Sequence, residues 1–248
     1  MKKYTSVLML HVRSTIFEIL FMFTYLAGIE TFLFSRHLGA VYSKISTQGI
    51  TSYPFTELIS ESHLVKIFVF AFFHLTLILV KNGMERKGKA SYTIRRLPVT
   101  EKQYFLIQSL YHTTVYVLFM AFQLCILFLF YQYYMYKLPE SFYSNQTLFL
   151  AFYSNDFLQG LLPLEETSRI LRNILEILAL GFTTAHVSYS QRRRKKSFWI
   201  IPVGFITMLG FFNPLGSFFS DMTAFLACGF ILFPISQSWL RKEDGYEL

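Results

Sequence analysis

The sequence predicts an all-α, polytopic membrane protein, a single domain over 1–248 with six transmembrane helices. Three observations predict it. Of the 248 residues, 53% are hydrophobic and only 15% are charged, where a soluble domain carries about 25% charge. The apolar residues cluster in runs near the ~20 that cross a hydrocarbon core. Lys and Arg gather in alternate connections, as they do in loops kept on the cytoplasmic side. The net charge of +8 therefore marks membrane sidedness rather than a nucleic-acid partner. Cys125 and Cys228 both fall in apolar runs, so no disulfide framework is implied. The basic start Met1-Lys2-Lys3 is followed by no small-residue cleavage site, so the first span is expected to direct insertion itself.

The elements follow in order. Residues 1–13 carry Lys2, Lys3, His11 and Arg13 among Tyr4, Val7, Leu8 and Leu10, a spacing that suits a short amphipathic helix lying at the inner interface. The first span covers 14–34, with Glu18 toward its inner end and Glu30 toward its outer end. Residues 35–63 read as an outer loop rich in Ser, Thr and Tyr. The second span covers 63–80 and includes His74; the third covers 105–130 and includes His112 and Gln123. Residues 147–164 are apolar enough to suggest another span, but Asn155 and Asp156 sit in the middle, where polar groups are costly. A span there would also turn Arg192-Arg193-Arg194-Lys195-Lys196 outward, against the charge rule. Residues 145–162 are therefore read as an amphipathic or re-entrant element on the outer side. The fourth span covers 169–189, the fifth 198–212 and the sixth 218–240. Asn213-Pro214-Leu215-Gly216 forms a tight outer turn between the last two. In this layout 17 of the 23 Lys and Arg lie on inner segments, so both termini are expected to be cytoplasmic.

The segment 81–108 is the chain's distinctive connection. It carries Lys81, Arg86, Lys87, Lys89, Arg95, Arg96 and Lys102 against only Glu85 and Glu101. Thr100 stands three residues before Gln103, a capping-box spacing that predicts a firm helix start. A basic loop that ends in a capped helix either presents a defined surface to a cytoplasmic partner or is a solvated connection that only sets topology.

Other motifs weigh less. Gly83 to Ala90 nearly spells a phosphate-binding loop, but Ala90 stands where a hydroxyl should reach Mg²⁺, and a span precedes it instead of a strand. Glu165-Glu166 with Arg169, followed by Phe182 and His186, resembles fragments of the intramembrane CAAX-processing proteases. Here the Arg comes one position early and no His follows His186. Glu166 and His186 are also ~30 Å apart along a helix. No Cys/His spacing points to a metal. Asn145-Gln146-Thr147 is a glycosylation sequon that matters only in a eukaryotic secretory pathway. Arg172 and Glu176, four apart, are expected to pair on the fourth span. Polar residues inside spans face the bundle interior or a cavity. On that ground Glu30, His74, His112, Gln123, Glu176 and Asp221 are the candidate lining of a substrate path, converging on one cavity.

At Arg95-Arg96-Leu97-Pro98-Val99-Thr100 the chain resembles the ABC type-2 exporter permeases. That family has an amphipathic entry helix, six spans with both ends inside, and a cytoplasmic hairpin between spans two and three bearing an Arg/Lys-x-Leu-Pro-Val/Ile-Ser/Thr pattern. The basic turn at 191–196 and the element containing Asp156 and Leu162-Pro163-Leu164 are similar to branches of the same family. The resemblance implies a permease subunit without catalytic residues, in a bacterial cell membrane. It implies a second permease subunit, identical or not, and a separate ATPase subunit that supplies ATP and Mg²⁺. The ATPase would dock on Arg95, Arg96, Leu97, Pro98, Val99, Thr100, Glu101, Gln103 and Tyr104. The alternatives are an intramembrane protease or a non-transporting membrane scaffold.

Overall fold

The computed structural model describes residues 2–48, 52–83, 99–144, 146–164, 167–192, 198–212 and 218–240. Among these, every regular element is helical. The helices are α1 (Lys2–Gln48), α2 (Phe55–Glu61), α3 (Leu64–Gly83), α4 (Glu101–Lys137), α5 (Thr147–Ser154), α6 (Asp156–Leu161), α7 (Thr167–Arg192), α8 (Ile200–Phe212) and α9 (Phe218–Leu240). Four of them, α1, α3, α4 and α7, are long and apolar enough to cross a membrane. The Arg95-to-Pro98 stretch, the second basic turn beyond Arg192, Asn145, Glu165, Glu166 and the turn at 213–216 lie outside the described residues.

The expected interfacial helix is not a separate element. Residues 2–48 form one helix of 47 residues, ~70 Å at helical rise. The reason is visible in its burial. Val7, His11, Thr15, Ile19, Met22, Leu26, Glu30, Phe34, Leu38 and Val41 are all buried. They recur every three or four residues, so one helical face stays in contact with the bundle throughout. The expected outer loop is likewise shortened, because 35–48 continues the same helix.

Aromatic rings fasten α1 to α4. Phe23 stacks on Phe122 with centroids 4.5 Å apart, and Phe34 on Phe130 at 4.4 Å. Contacts in rising register on both helices make α1 and α4 parallel. Lys81 reaches Glu18 at 3.4 Å, while His37 meets His63, so α3 runs antiparallel to α1. α7 runs antiparallel to α4, and packs also on α3, α8 and α9. The starts of α1, α4 and α8 and the ends of α3, α7 and α9 therefore share one end of the bundle.

The other end is closed by short elements. Asn155 breaks the apolar stretch after α5 by accepting from the backbone N–H of Phe157 at 3.1 Å and of Leu158 at 3.3 Å, capping α6. As the polar residues at 155 and 156 foretold, this region is two short helices and not a span. Tyr134 donates to the carbonyl of Tyr53 at 2.7 Å, and Tyr53 in turn donates to Glu61 at 2.5 Å. Burial, with the Glu61 carboxylate, holds the Tyr53 phenol above its ordinary range. Phe157 drops an edge-on ring against Phe68 of α3.

α4 and α7 approach closely at Gly181. A Cβ there would stand 2.0 Å from Thr113 Oγ1, 2.9 Å from its backbone nitrogen and 3.0 Å from its Cα. Glycine normally weakens a helix by ~1 kcal/mol relative to alanine, but here the added methyl meets main chain that cannot step aside. Gly181→Ala should therefore lower stability by about 1–3 kcal/mol, the range for overpacking. Thermal unfolding in detergent measures this. Thr113→Ala should restore little of the loss, because the backbone contacts remain.

Candidate functional site

The start of α4 is fixed by its own sequence. Thr100 has extended backbone angles, accepts from the Gln103 N–H and donates its own N–H to the Gln103 side chain, both at 3.3 Å. This is the predicted capping box, with each residue satisfying a backbone donor or its partner. Glu101 and Gln103 are exposed beside it and Val99 is half-buried. Tyr104, which the resemblance places in the docking surface, is only 6% exposed and packs on His11 of α1 with ring centroids 5.1 Å apart. It begins the buried stripe of α4 and belongs to the interior.

The polar residues assigned to a path occupy separate helix seams. Glu30 and Gln123 meet between α1 and α4, the Gln123 amide donating to both carboxylate oxygens at 2.9 and 3.0 Å. His112 meets Thr184 between α4 and α7 at 2.9 Å. Glu176 and Asp221 meet through Arg172 between α7 and α9. His74 is exposed and lines a groove of about 560 Å³ with Glu18, Phe21, Leu77 and Lys81. The structure thus brings Glu30 to Gln123 and Glu176 to Asp221, and leaves His74 on the outer surface of this chain instead of in a shared cavity.

The charged seam is the richest. Arg172, Glu176 and Asp221 are each at most 3% exposed. The expected pair is present, with Arg172 Nε 3.6 Å from Glu176. A nearer partner was hidden 49 residues away: Arg172 Nη1 reaches Asp221 at 2.6 Å. Ser168 also donates to Asp221 at 2.9 Å. Neighbouring positions of α7 grip the short helix α6, Arg169 donating to Gln159 at 2.7 Å and Asn173 to the carbonyl of Gly160 at 2.8 Å. Buried charges persist only where paired and hydrogen-bonded. Arg172 is hydrogen-bonded to Asp221 but only in ionic contact with Glu176: among the described residues Arg172 Nε and Glu176 Oε1 have no hydrogen-bond partner. The pair with Asp221 is what ties α7 to α9. The four-residue spacing exposed Glu176 to sequence reading; nothing local marked Asp221 or Gln159 as partners.

Two weaker motifs can now be placed. A helix, α3, precedes the near phosphate-loop, whose residues after Gly83 lie outside the described chain. Thr167 and His186 stand 19 residues apart on α7, ~28 Å along its axis. Among the described residues no three His, Cys, Asp or Glu side chains gather as a metal site. The chain matches no protein-family model, no curated protein and no solved structure.

Asp221→Asn removes the charge nearest Arg172 and should cost about 3 kcal/mol, as breaking a buried pair does. Glu176→Gln leaves the 2.6 Å pair intact and removes only the 3.6 Å ionic contact, which is too long for a hydrogen bond, so it should cost less, about 1 kcal/mol. Unfolding of both variants in lipid nanodiscs gives the order; equal losses would show that Asp221 is not the dominant partner.

Proposed function

We propose that this chain is the membrane-spanning subunit of an ABC exporter in a bacterial cell membrane. The observation that supports this reading most is the capped start of α4. It stands at the same end of the bundle as the start of α1 and the ends of α3, α7 and α9, the helix ends that the basic segments adjoin in the sequence. On the charge rule that end is cytoplasmic. The reading counts α8 and α9 as the fifth and sixth spans; α9 has 23 residues, ~35 Å at helical rise, enough to cross.

In this reading a separate ATPase subunit, carrying ATP and Mg²⁺, docks on the hairpin containing Arg95, Arg96, Leu97 and Pro98, on the half-buried Val99 and on the exposed Thr100, Glu101 and Gln103. Two permease subunits form one transporter. Closure of the ATPase pushes the start of α4 and biases the bundle between two arrangements. The polar seams, Glu176 above all, are the candidate lining of the route.

Two experiments test the proposal. Cysteine introduced at position 194, in a background lacking Cys125, should be labelled only after the membrane is opened; labelling in intact cells would reverse the sidedness. The double change Arg96→Glu with Val99→Asp should release a co-purifying ATPase while leaving insertion intact, because it sets unfavourable charge into a partly apolar contact. Full recovery of the complex with normal transport would remove the docking site.

A further inference from the structure

One turn of α4 reaches three different helices. The Tyr111 hydroxyl meets Thr15 Oγ1 of α1. His112 Nδ1 meets Thr184 Oγ1 of α7 at 2.9 Å. The Tyr116 hydroxyl meets Thr76 Oγ1 of α3 at 2.9 Å. Each threonine already spends its hydroxyl hydrogen on its own helix. Thr15 donates to the carbonyl of His11 at 2.9 Å, Thr76 to that of Phe72 at 2.9 Å, and Thr184 to that of Leu180 at 2.8 Å.

A hydroxyl has one hydrogen and accepting lone pairs to spare. All three threonines must therefore accept, and α4 must donate every time. For the two tyrosines this asks nothing unusual. For His112 this arrangement calls for the tautomer with the proton on Nδ1 and the lone pair on Nε2. Thr113 of the same stretch faces Gly181, where the backbones of α4 and α7 lie close together. Between Glu101 and Lys137 the sequence has neither glycine nor proline, the usual sources of a sharp helix kink. Displacement of the capped end thus reaches His112, eleven residues on and ~16 Å away, without loss in a bend.

We propose that the turn 111–116 is a coupling node that carries motion of the α4 start into α1, α3 and α7 together. His112 is its positioning residue, holding α7 by donation from Nδ1. The role in transport rests on the exporter reading; the tie between helices does not.

The test uses the full chain in lipid nanodiscs. Histidine labelled with ¹⁵N should show His112 protonated at Nδ1 and bare at Nε2; the opposite tautomer overturns the assignment. His112→Asn places an amide donor where Nδ1 was, whereas His112→Gln carries it to the Nε2 position. Spin labels on exposed Cys125 of α4 and on Ile174→Cys of α7, with Cys228 replaced by alanine, report the separation of the two helices. Wild type and His112→Asn should give one narrow distance. His112→Gln should raise an untied population about fivefold, the factor expected of one lost hydrogen bond. Thr184→Val removes the acceptor and should do the same, which keeps the test open if the glutamine variant folds poorly. Equal distributions in all four proteins overturn the node. Where an ATPase co-purifies, ATP with vanadate should move the labelled pair together in wild type and separately in His112→Gln. Absence of an ATPase defeats the exporter reading and leaves the nucleotide-free distances to judge the node.

Discussion

The packing of the bundle depends on the place where α7 lies against α4 with no side chain between them. At Gly181 the backbone of α7 sits so near Thr113 that not even a methyl group fits. Lipid offers helices no hydrophobic reward for associating, so close van der Waals contact and interhelical hydrogen bonds must do it. The rest is arranged around that approach. α7 also touches α3, α8 and α9, and its first turns hold the end cap through Arg169 and Asn173. A bundle in which α7 stood off by a methyl group would shift each of those contacts at once.

Local signals in the sequence were the dependable ones. The capping box at Thr100 and Gln103 lies within one turn, and so does the Arg172–Glu176 pair; both are formed as the spacing requires. Asn155 and Asp156 correctly broke the apolar stretch because a polar pair there is served by a helix cap and not by a membrane. The failures share a different cause. Arg13 belongs to the expected interfacial helix and Arg36 to the expected outer loop, on either side of a span over 14–34, but one helix covers all three because its buried stripe runs on from Val7 to Val41. Tyr104 belonged to such a stripe too. Asp221 is joined to Arg172 only by the fold, and the threonines that receive bonds from α4 look like any others until their neighbours are known.

The three seams handle buried polarity in different ways. Between α7 and α9 two carboxylates share one guanidinium, with Ser168 and Asn173 supplying further hydrogen bonds. Between α1 and α4 a carboxyl group faces a single amide. Between α4 and α7 a neutral ring and a hydroxyl suffice. Each seam joins a different pair of long helices, so polarity in this chain specifies which helix lies beside which, where apolar surfaces alone would accept many partners.

The length of α1 has a mechanical meaning. A hydrocarbon core is ~30 Å thick, so a straight helix of ~70 Å extends well past it. Such a rod is a lever. Pivoting about its middle by ~10°, well within the tilts that spanning helices adopt, it would swing each tip through ~6 Å. The Lys81–Glu18 bridge lies on one arm and the His37–His63 contact on the other. A pivot between them would fall near Leu26 and Glu30, both fully buried. A displacement too small to break the Glu30–Gln123 hydrogen bonds at that centre would arrive at either end as the width of a side chain.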